Sequence, residues 1–294
     1  MIRRGAAIYV ILGSVLLASC RSSSPRRIVV GSKNFTEQIV LAELLRQYLQ
    51  SRTGLRVDQR VNLGGTMICQ QAIESGGIDL YVEYTGTALT AVLGEAPSSD
   101  AAEVYARVKR DYAARFGLEV TEPLGFNNTF AMVIRGEDAR RLNLRTISDI
   151  ESIAPHWRAG FGYEFMERPD GFRGLTDTYH LRFAAPPRTM ELGLIYRALQ
   201  DKQVDIVAGN STDGVISALD FAVLEDNKRY FPPYDAVPVV RQETLKKFPA
   251  LRAALHDLGG KLSADEMRRL NYAVDGEHRD PRAVVADFLR ARKL

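Results

Sequence analysis

Residues 28–63 read IVVGSKNFTEQIVLAELLRQYLQSRTGLRVDQRVNL, and this stretch decides the fold. Ile28 to Gly31 is a short apolar run, which is typical of a buried strand. Thr36 to Thr53 has apolar residues at helical spacing, and Val57 to Leu63 returns to a strand pattern. A strand, a helix and a second strand in this order predict a βαβ unit, whose two strands run parallel.

The same alternation continues through the next part of the chain. Thr66 to Ser75 is a predicted helix, Ile78 to Val82 a strand, and Ala101 to Phe116 a second clear helix that Asp100 can cap. This βαβαβ pattern predicts a parallel sheet with helices on both faces.

A second α/β lobe is predicted to begin near Phe126. Its predicted elements are the strands Phe130–Ile134, Arg158–Phe161 and Val204–Val207 and the helices Ile147–Ile153, Gly171–His180 and Met190–Gln200. Three prolines interrupt an extended return segment around residues 232–238, and Glu243 to Leu294 predicts several helices that pack on the first lobe. We therefore expect lobe one at residues 28–125 with 234–294, lobe two at 126–233, and a ligand cleft between them.

The N-terminus has the pattern of an export signal. Arg3 and Arg4 precede an apolar run from Ala6 to Ala18, which is shorter than the ~20 residues that a membrane-spanning helix needs. The run ends in Leu-Ala-Ser-Cys20, which resembles a bacterial lipobox. We predict a signal peptide at 1–19, acylation of Cys20 and a polar tether at 20–27, with a short uncleaved anchor as the alternative. Such a protein is held at the cell envelope, on the extracytoplasmic face of a membrane.

Composition argues against several classes of function. Removing Arg3 and Arg4 from the 39 basic residues leaves 37 against 36 acidic ones, so the exported chain is nearly neutral and has no excess of basic residues for nucleic acid. Cys69 is then the only cysteine besides Cys20, so no intrachain disulfide is expected. The four histidines show no metal-ligand spacing, and no nucleophile or phosphate-binding motif occurs. We expect no metal, no cofactor and no catalytic residues.

Five segments carry a more specific resemblance. They are Gly31-Ser32-Lys33-Asn34-Phe35-Thr36-Glu37-Gln38, Glu83-Tyr84-Thr85-Gly86-Thr87, Asn127-Asn128-Thr129-Phe130, Glu164-Phe165 with Arg168-Pro169-Asp170-Gly171, and Asn210-Ser211-Thr212-Asp213-Gly214 followed by Phe231-Pro232-Pro233-Tyr234. In this order they resemble the substrate-binding proteins of quaternary-amine ABC importers, which take glycine betaine, carnitine or choline. The resemblance implies a type II periplasmic-binding-protein fold, a monomer, and delivery of the ligand to a membrane permease driven by a separate ATPase.

The resemblance also implies an aromatic cage around a trimethylammonium group. Tyr84 and Tyr234 match two walls of that cage, and Phe130 falls where the family usually has another tyrosine. Asn210 falls where a fourth tyrosine is common, so one π-face is absent there. Chains with Gly-Asn before Ser-Thr-Asp-Gly look similar to the branch that takes ergothioneine, a larger betaine with a thione ring.

Four further positions match polar roles in the same family. Lys33, Thr87 and Arg168 match positions associated with the ligand's carboxylate or with closure of the lobes, and Asn128 matches a polar position beside the cage. Closure implies a hinge, which we expect around 125–127 and 230–233.

Other interpretations of these residues are open at this point. The aromatic residues can be core residues, and Lys33 can pair with Glu37 on the surface of the helix. A receptor for another solute such as an amino acid, a signalling receptor, and an exported enzyme are the alternative functions. An enzyme would have to use Glu83, Glu164 or Asp213 as its acid or base.

Overall fold

The computed structural model describes residues 27–294 and contains two five-stranded sheets with helices packed on them. The predicted signal peptide and Cys20 lie outside the described residues, and so does all of the predicted tether except Arg27. Among residues 27–294, no helix is long and apolar enough to cross a membrane.

The first sheet defines lobe one. Its strands are β1 (Arg27–Gly31), β2 (Arg56–Arg60), β3 (Leu80–Tyr84), β4 (Leu118–Val120) and β10 (Ala236–Arg241), in the spatial order β2-β1-β3-β10-β4. β1 pairs with β2 and β3 in parallel, as expected, but β10 runs antiparallel to β3 and β4. The prediction of a parallel sheet is therefore confirmed for β1, β2 and β3, but the sheet as a whole is mixed, because the chain returns from lobe two as β10 and inserts between β3 and β4.

Proline is rare inside a sheet because it has no N–H, yet Pro238 lies in the middle of β10. Its carbonyl accepts a bond from the N–H of Thr121, just beyond the end of β4, at 3.0 Å. In an antiparallel pair, the carbonyl of Thr121 would then accept from residue 238. The hydroxyl of Tyr105 donates to that carbonyl instead, at 3.1 Å. A side chain thus replaces the missing backbone donor.

The helices of lobe one cover both faces of its sheet. They are α1 (Thr36–Thr53), α2 (Thr66–Glu74), the single turn α3 (Thr85–Thr87), α4 (Ala101–Phe116), α10 (Gln242–Lys247), α11 (Ala250–Leu258), α12 (Ala264–Asp275) and α13 (Pro281–Arg292). The predicted bounds of α1 and α4 are confirmed to the residue, and the side chain of Asp100 caps α4 as predicted. α11, α12 and α13 pack against α1 on one face, while the packing on the other face includes Val104, Val108 and Tyr112 of α4.

The second sheet defines lobe two. Its strands are β5 (Phe130–Arg135), β6 (Ala159–Gly162), β7 (Arg188–Met190), β8 (Ile206–Asn210) and β9 (Phe221–Leu224), in the order β7-β6-β8-β5-β9. Its helices are α5 (Gly136–Leu142), α6 (Tyr163–Glu167), α7 (Phe172–Tyr179), α8 (Leu192–Gln200) and α9 (Val215–Ala218), with 3₁₀ turns at 147–150 and 154–156. Two predictions need correction here. The helix predicted from Met190 begins at Leu192, because the preceding residues form β7, and the helix predicted from Ile147 is a single 3₁₀ turn.

Two segments of the chain connect the sheets, and backbone hydrogen bonds join these segments to each other. The N–H of Asn128 donates to the carbonyl of Tyr234 at 3.0 Å, and the N–H of Ala236 donates to Phe126 at 3.1 Å. Asn127 and Asp235 form an isolated antiparallel bridge between the same two segments. We call these paired segments, residues 125–128 and 230–236, the crossings. They lie beside the space between the two sheets, so a change in the backbone of either crossing alters the shape of that space.

Gly125, at the start of the first crossing, provides a test of this arrangement. Its φ of +116° is rarely adopted by other residues, and a Cβ there would lie 2.6 Å from the carbonyl oxygen of Leu262. Gly125→Ala should cost about 3 kcal/mol of unfolding free energy, since strain and a clash with backbone add. Gly54→Ala is the matched control, because φ is +66° there and no atom lies within 4 Å of the added Cβ. Its expected cost is about 1 kcal/mol. Equal losses in urea unfolding would contradict this account of the crossing.

Candidate functional site

The space between the two sheets holds a cavity that opens at the cleft. Its lining contains all eight residues proposed for ligand binding, together with five others. The eight are Lys33, Tyr84, Thr87, Asn128, Phe130, Arg168, Asn210 and Tyr234; the five are Phe35, Glu164, Phe165, Leu192 and Ala208. These residues are spread over 200 positions of sequence, and the fold brings them together at the ends of β3, β5 and β8 and at the crossings.

Three aromatic residues from different elements form part of the wall. Tyr84 ends β3, Phe130 begins β5, and Tyr234 belongs to the second crossing. The Phe130 and Tyr234 ring centroids lie 5.7 Å apart with their planes at 77°. Phe35, which sequence reasoning did not single out, stacks on Tyr84 at 6.4 Å. Tyr84 is 5% exposed and Tyr234 2%, so both rings are closely packed.

A buried carboxylate fixes the orientation of Tyr84. The Tyr84 hydroxyl donates to Glu37 at 2.6 Å, and Glu37 also accepts from Asn128 at 2.8 Å, Thr212 at 2.5 Å and Asn271 at 3.0 Å. Burial raises the pKa of Glu37, while these four donors oppose the increase. Sequence reasoning missed this role because a glutamate in the first turn of a helix is usually explained by its charge at the helix N-terminus.

Lys33 lies at the base of the cavity and is already paired. Its Nζ donates to Oε1 of Glu83 at 2.5 Å and to Thr66 at 2.9 Å, and it lies 5.3 Å from the Tyr84 ring centroid. The alternative that Lys33 pairs with Glu37 on a helix surface is wrong, because Glu37 points into the interior. Both members of the Lys33–Glu83 pair are almost fully buried, so the protein itself balances this charge.

Arg168 reaches from lobe two across the cavity. Its guanidinium forms two bonds to Asp170, at 2.8 and 2.5 Å, and donates to Thr87 of lobe one at 2.9 Å. It stands 5.1 Å from the Phe130 ring centroid and 5.7 Å from that of Tyr234. Burial acts to lower the pKa of Arg168, but the bond to Asp170 prevails and raises it. The Tyr234 hydroxyl donates to the same Asp170 at 2.5 Å.

A second contact joins the lobes at the rim of the cavity. Oε1 of Glu164 in lobe two accepts the N–H of Thr66 at 2.7 Å, so it caps the N-terminus of α2 in lobe one. A Cβ on Gly65 would lie 2.2 Å from the same oxygen. Glycine at this position therefore allows the carboxylate to approach, and the lobes are in contact on both sides of the cavity.

Asn210 stands directly opposite Phe130 in the β5–β8 pair, where it separates the cavity from a neighbouring groove. Asp213 lines that groove and not the cavity. It accepts the Tyr196 hydroxyl at 2.6 Å and the N–H of Asn210 at 2.8 Å, and burial raises its pKa to about 6. Among the described residues, no cluster of histidine, cysteine, aspartate and glutamate could hold a metal ion.

Comparisons with known proteins identify the family. Residues 26–291 match the family model described as the substrate-binding domain of ABC-type glycine betaine transport systems. The chain is 35% identical, over 97% of its length and 94% of the relative, to the carnitine transport binding protein OpuCC of Listeria monocytogenes. It is 32% identical, over 96% of its length, to the ergothioneine transport permease/ergothioneine binding protein EgtU of Helicobacter pylori, but it spans only 51% of that protein.

A solved structure is similar over almost the same length. The structure described as a glycine betaine/carnitine/choline ABC transporter superposes with a TM-score of 0.77 and 33% identity, covering 90% of this chain and 98% of the other. This likeness confirms the bilobed α/β fold expected from the sequence. The chain belongs to the family of substrate-binding domains of ABC-type glycine betaine transport systems.

Proposed function

We propose that this chain is the extracytoplasmic receptor of an ABC importer, and that it binds a quaternary ammonium compound in the cavity between its lobes. The observation that carries the proposal is the convergence of Tyr84, Phe130 and Tyr234, from three separate elements, on that one cavity. The closed receptor then presents the compound to a membrane permease that a separate ATPase drives.

Aromatic rings suit this ligand for a physical reason. A trimethylammonium group has no N–H to donate, so the negative face of a ring is its best partner. Each desolvated ring contributes up to ~2 kcal/mol, so three rings contribute about 6 kcal/mol at most. A micromolar complex needs roughly 8 kcal/mol. The rings therefore need help from the polar residues around them.

Lys33, Thr87 and Arg168 are the residues we assign to the second, polar end of the ligand. Lys33 and Arg168 already have carboxylate partners in Glu83 and Asp170, at 2.5 Å each. A ligand carboxylate would have to share these cations with the protein. An uncharged polar group of the ligand would not have to compete with these two carboxylates for the positive charge. It can accept hydrogen bonds from the remaining N–H groups of Lys33 and Arg168.

We further propose that the crossings act as the hinge and that closure completes the site. The bonds from Arg168 to Thr87 and from Glu164 to Thr66 join the two lobes. Both would break if the lobes separated, because each has one partner in each lobe. The proposed lobe bounds are 28–125 with 234–294 and 126–233.

Binding, and not catalysis, is the activity we assign to the cavity. Of the three carboxylates considered as acids or bases, Glu83 is paired with Lys33, Glu164 caps α2, and Asp213 lines the groove. Burial raises the pKa of the Cys69 thiol to about 12, which leaves it unreactive at neutral pH. We also propose that the mature chain begins at an acylated Cys20, is tethered to the membrane there, and acts as a monomer.

The ligand class can be tested by thermal unfolding of the mature chain without lipid. Glycine betaine, choline, carnitine and ergothioneine are compared with glycine and histidine as unmethylated controls. At a hundredfold excess over its Kd, a bound ligand adds about 2.7 kcal/mol of stability and raises Tm visibly. A rise with glycine or histidine, and none with the methylated compounds, would overturn the assignment.

The cage can be tested at Phe130. Phe130→Leu keeps an apolar side chain but removes the π-face, so we expect Kd for the best quaternary amine to rise about 10- to 30-fold, corresponding to 1.4–2 kcal/mol. Phe130→Tyr should bind as well as the natural chain. The control is Phe183→Leu, because Phe183 packs on Phe161 and Phe172 in lobe two and does not line the cavity. Calorimetric titration showing equal Kd for Phe130→Leu and the control would rule out a cation–π role for this ring.

Closure can be tested at Thr87. Thr87→Val keeps the shape but removes the hydroxyl that Arg168 contacts across the cleft. We expect Kd to rise about 3- to 10-fold, as for loss of one hydrogen bond to a charged group. Thr121→Val loses a similar buried bond within lobe one and should leave Kd unchanged. X-ray scattering should show that Thr87→Val populates a more open form; an unchanged Kd would mean that the contact does not support closure.

A further inference from the structure

Two side-chain amide oxygens of residues that line the cavity accept no hydrogen bond from the described part of the chain. They belong to Asn128 and Asn210, which reach the cavity from the first crossing and from the end of β8. The direction in which each amide group turns its oxygen is what identifies a ligand class.

A neighbouring carboxylate fixes the orientation of Asn128. A carboxylate only accepts hydrogen bonds, so the amide must turn its NH₂ group toward Glu37, and this N–H···O distance is 2.8 Å. The Oδ1 atom is thereby directed away from Glu37. It is buried, and no donor among residues 27–294 lies within hydrogen-bonding distance of it. The side chain as a whole is 94% buried, since Asn128 is 6% exposed.

Asn210 repeats this arrangement on the opposite wall. Its Nδ2 lies 3.4 Å from both oxygens of Asp213, a long contact that still places the NH₂ group toward the carboxylate. Its Oδ1 has no hydrogen-bond donor in the described chain. The groove beyond Asn210 is lined by Asp213 and Asp275, which are also acceptors. This side of the site therefore offers hydrogen-bond acceptors to a ligand. The donors Lys33, Thr87 and Arg168 are the residues that we assign to the polar end of the ligand.

Oδ1 of Asn128 is a buried acceptor without a partner, which costs free energy that a ligand donor recovers, whereas Asn210 is only half-buried. Glycine betaine contains only a trimethylammonium group and a carboxylate, so it has no N–H or O–H to offer. We infer that the ligand of this cavity is a quaternary ammonium compound that also carries an N–H or O–H donor, which bonds to Oδ1 of Asn128 or Asn210. This inference rests on the proposed function and narrows its ligand class.

The test uses two pairs of ligands that differ only in the donor, and one comparison of ligands that differ by a ring. Choline is paired with propyltrimethylammonium, in which a methyl group replaces the hydroxyl, and carnitine with 4-trimethylammoniobutyrate, which lacks the hydroxyl. Ergothioneine is compared with glycine betaine. Calorimetric titration of the mature chain should find its tightest ligand among the donor-bearing compounds. If that ligand is choline or carnitine, its donor-free partner should bind at least about tenfold more weakly.

Variants identify the oxygen that receives the donor. Asn210→Leu and Asn128→Leu keep the size of the side chain and remove the oxygen, and at least one should reduce the preference within each pair to below threefold. Asn128→Leu also removes a donor from buried Glu37, so circular dichroism must show that it folds; Asn210→Leu leaves Glu37 unchanged and removes only two long contacts to Asp213. Asn227→Leu is the control, because Asn227 bonds to Ser148 on the surface of lobe two.

The outcomes separate this inference from the function on which it rests. If the tightest ligand lacks a donor, or if the paired compounds bind within threefold of each other, the two oxygens face methyl groups or water and the inference is wrong, while the proposed function stands. If neither set binds at all, the proposed function fails and this inference fails with it.

Discussion

One buried carboxylate holds the ligand site together. Glu37 lies in the first turn of α1, inside the protein, where an isolated ionised carboxylate costs several kcal/mol. Four hydrogen-bond donors from four separate parts of the chain offset that cost, and the helix N-terminus favours the negative charge. Because every donor must point at Glu37, the Tyr84 ring and the Asn128 amide have no freedom to turn. The shape of one wall therefore follows from a residue that does not line the cavity.

The opposite wall is organised in the same way around Asp170. This aspartate is completely buried and takes two bonds from Arg168 and one from the hydroxyl of Tyr234. Burial acts to raise the pKa of Asp170, but the bonds from Arg168 prevail and lower it. One carboxylate thus positions both the cation that reaches lobe one and an aromatic ring of the second crossing. In each wall the residues that face the cavity are oriented by an acid behind them, a second layer of contacts that makes a rigid site.

How much of the fold and of the candidate site the sequence predicts depends on the type of sequence pattern. Helical periodicity predicts α1 and α4 to the residue, because both patterns are long and α4 has an aspartate cap. Periodicity fails for β10, because Pro238 is evidence against a central strand until Tyr105 is seen to supply the missing donor. Likewise, no pattern within one segment shows that Lys33 and Glu83, 50 residues apart, form a buried pair.

The eight site residues were proposed from a family resemblance and not from periodicity, and all eight line one cavity. Their types alone, such as a tyrosine after a strand or an arginine in a turn, are equally typical of core and surface positions. Glu37, Asp170 and Phe35 stand inside or beside the quoted segments, yet sequence reasoning assigned them no role. What separates them from their neighbours is a set of contacts between distant positions, from 64 residues for Asp170 and Tyr234 to 234 residues for Glu37 and Asn271, which only the folded chain displays.

The contacts between the lobes have a consequence for the medium in which this protein works. Arg168 to Thr87, Glu164 to the N–H of Thr66, and Thr212 to Glu37 each join a charged group to a neutral one, and most of their atoms lie away from solvent. Mobile ions largely screen exposed charges that are separated by more than a Debye length, which is about 8 Å at 0.15 M and about 3 Å at 1 M, but they act far less on buried contacts. Contacts of this kind between the lobes lose little strength in concentrated salt.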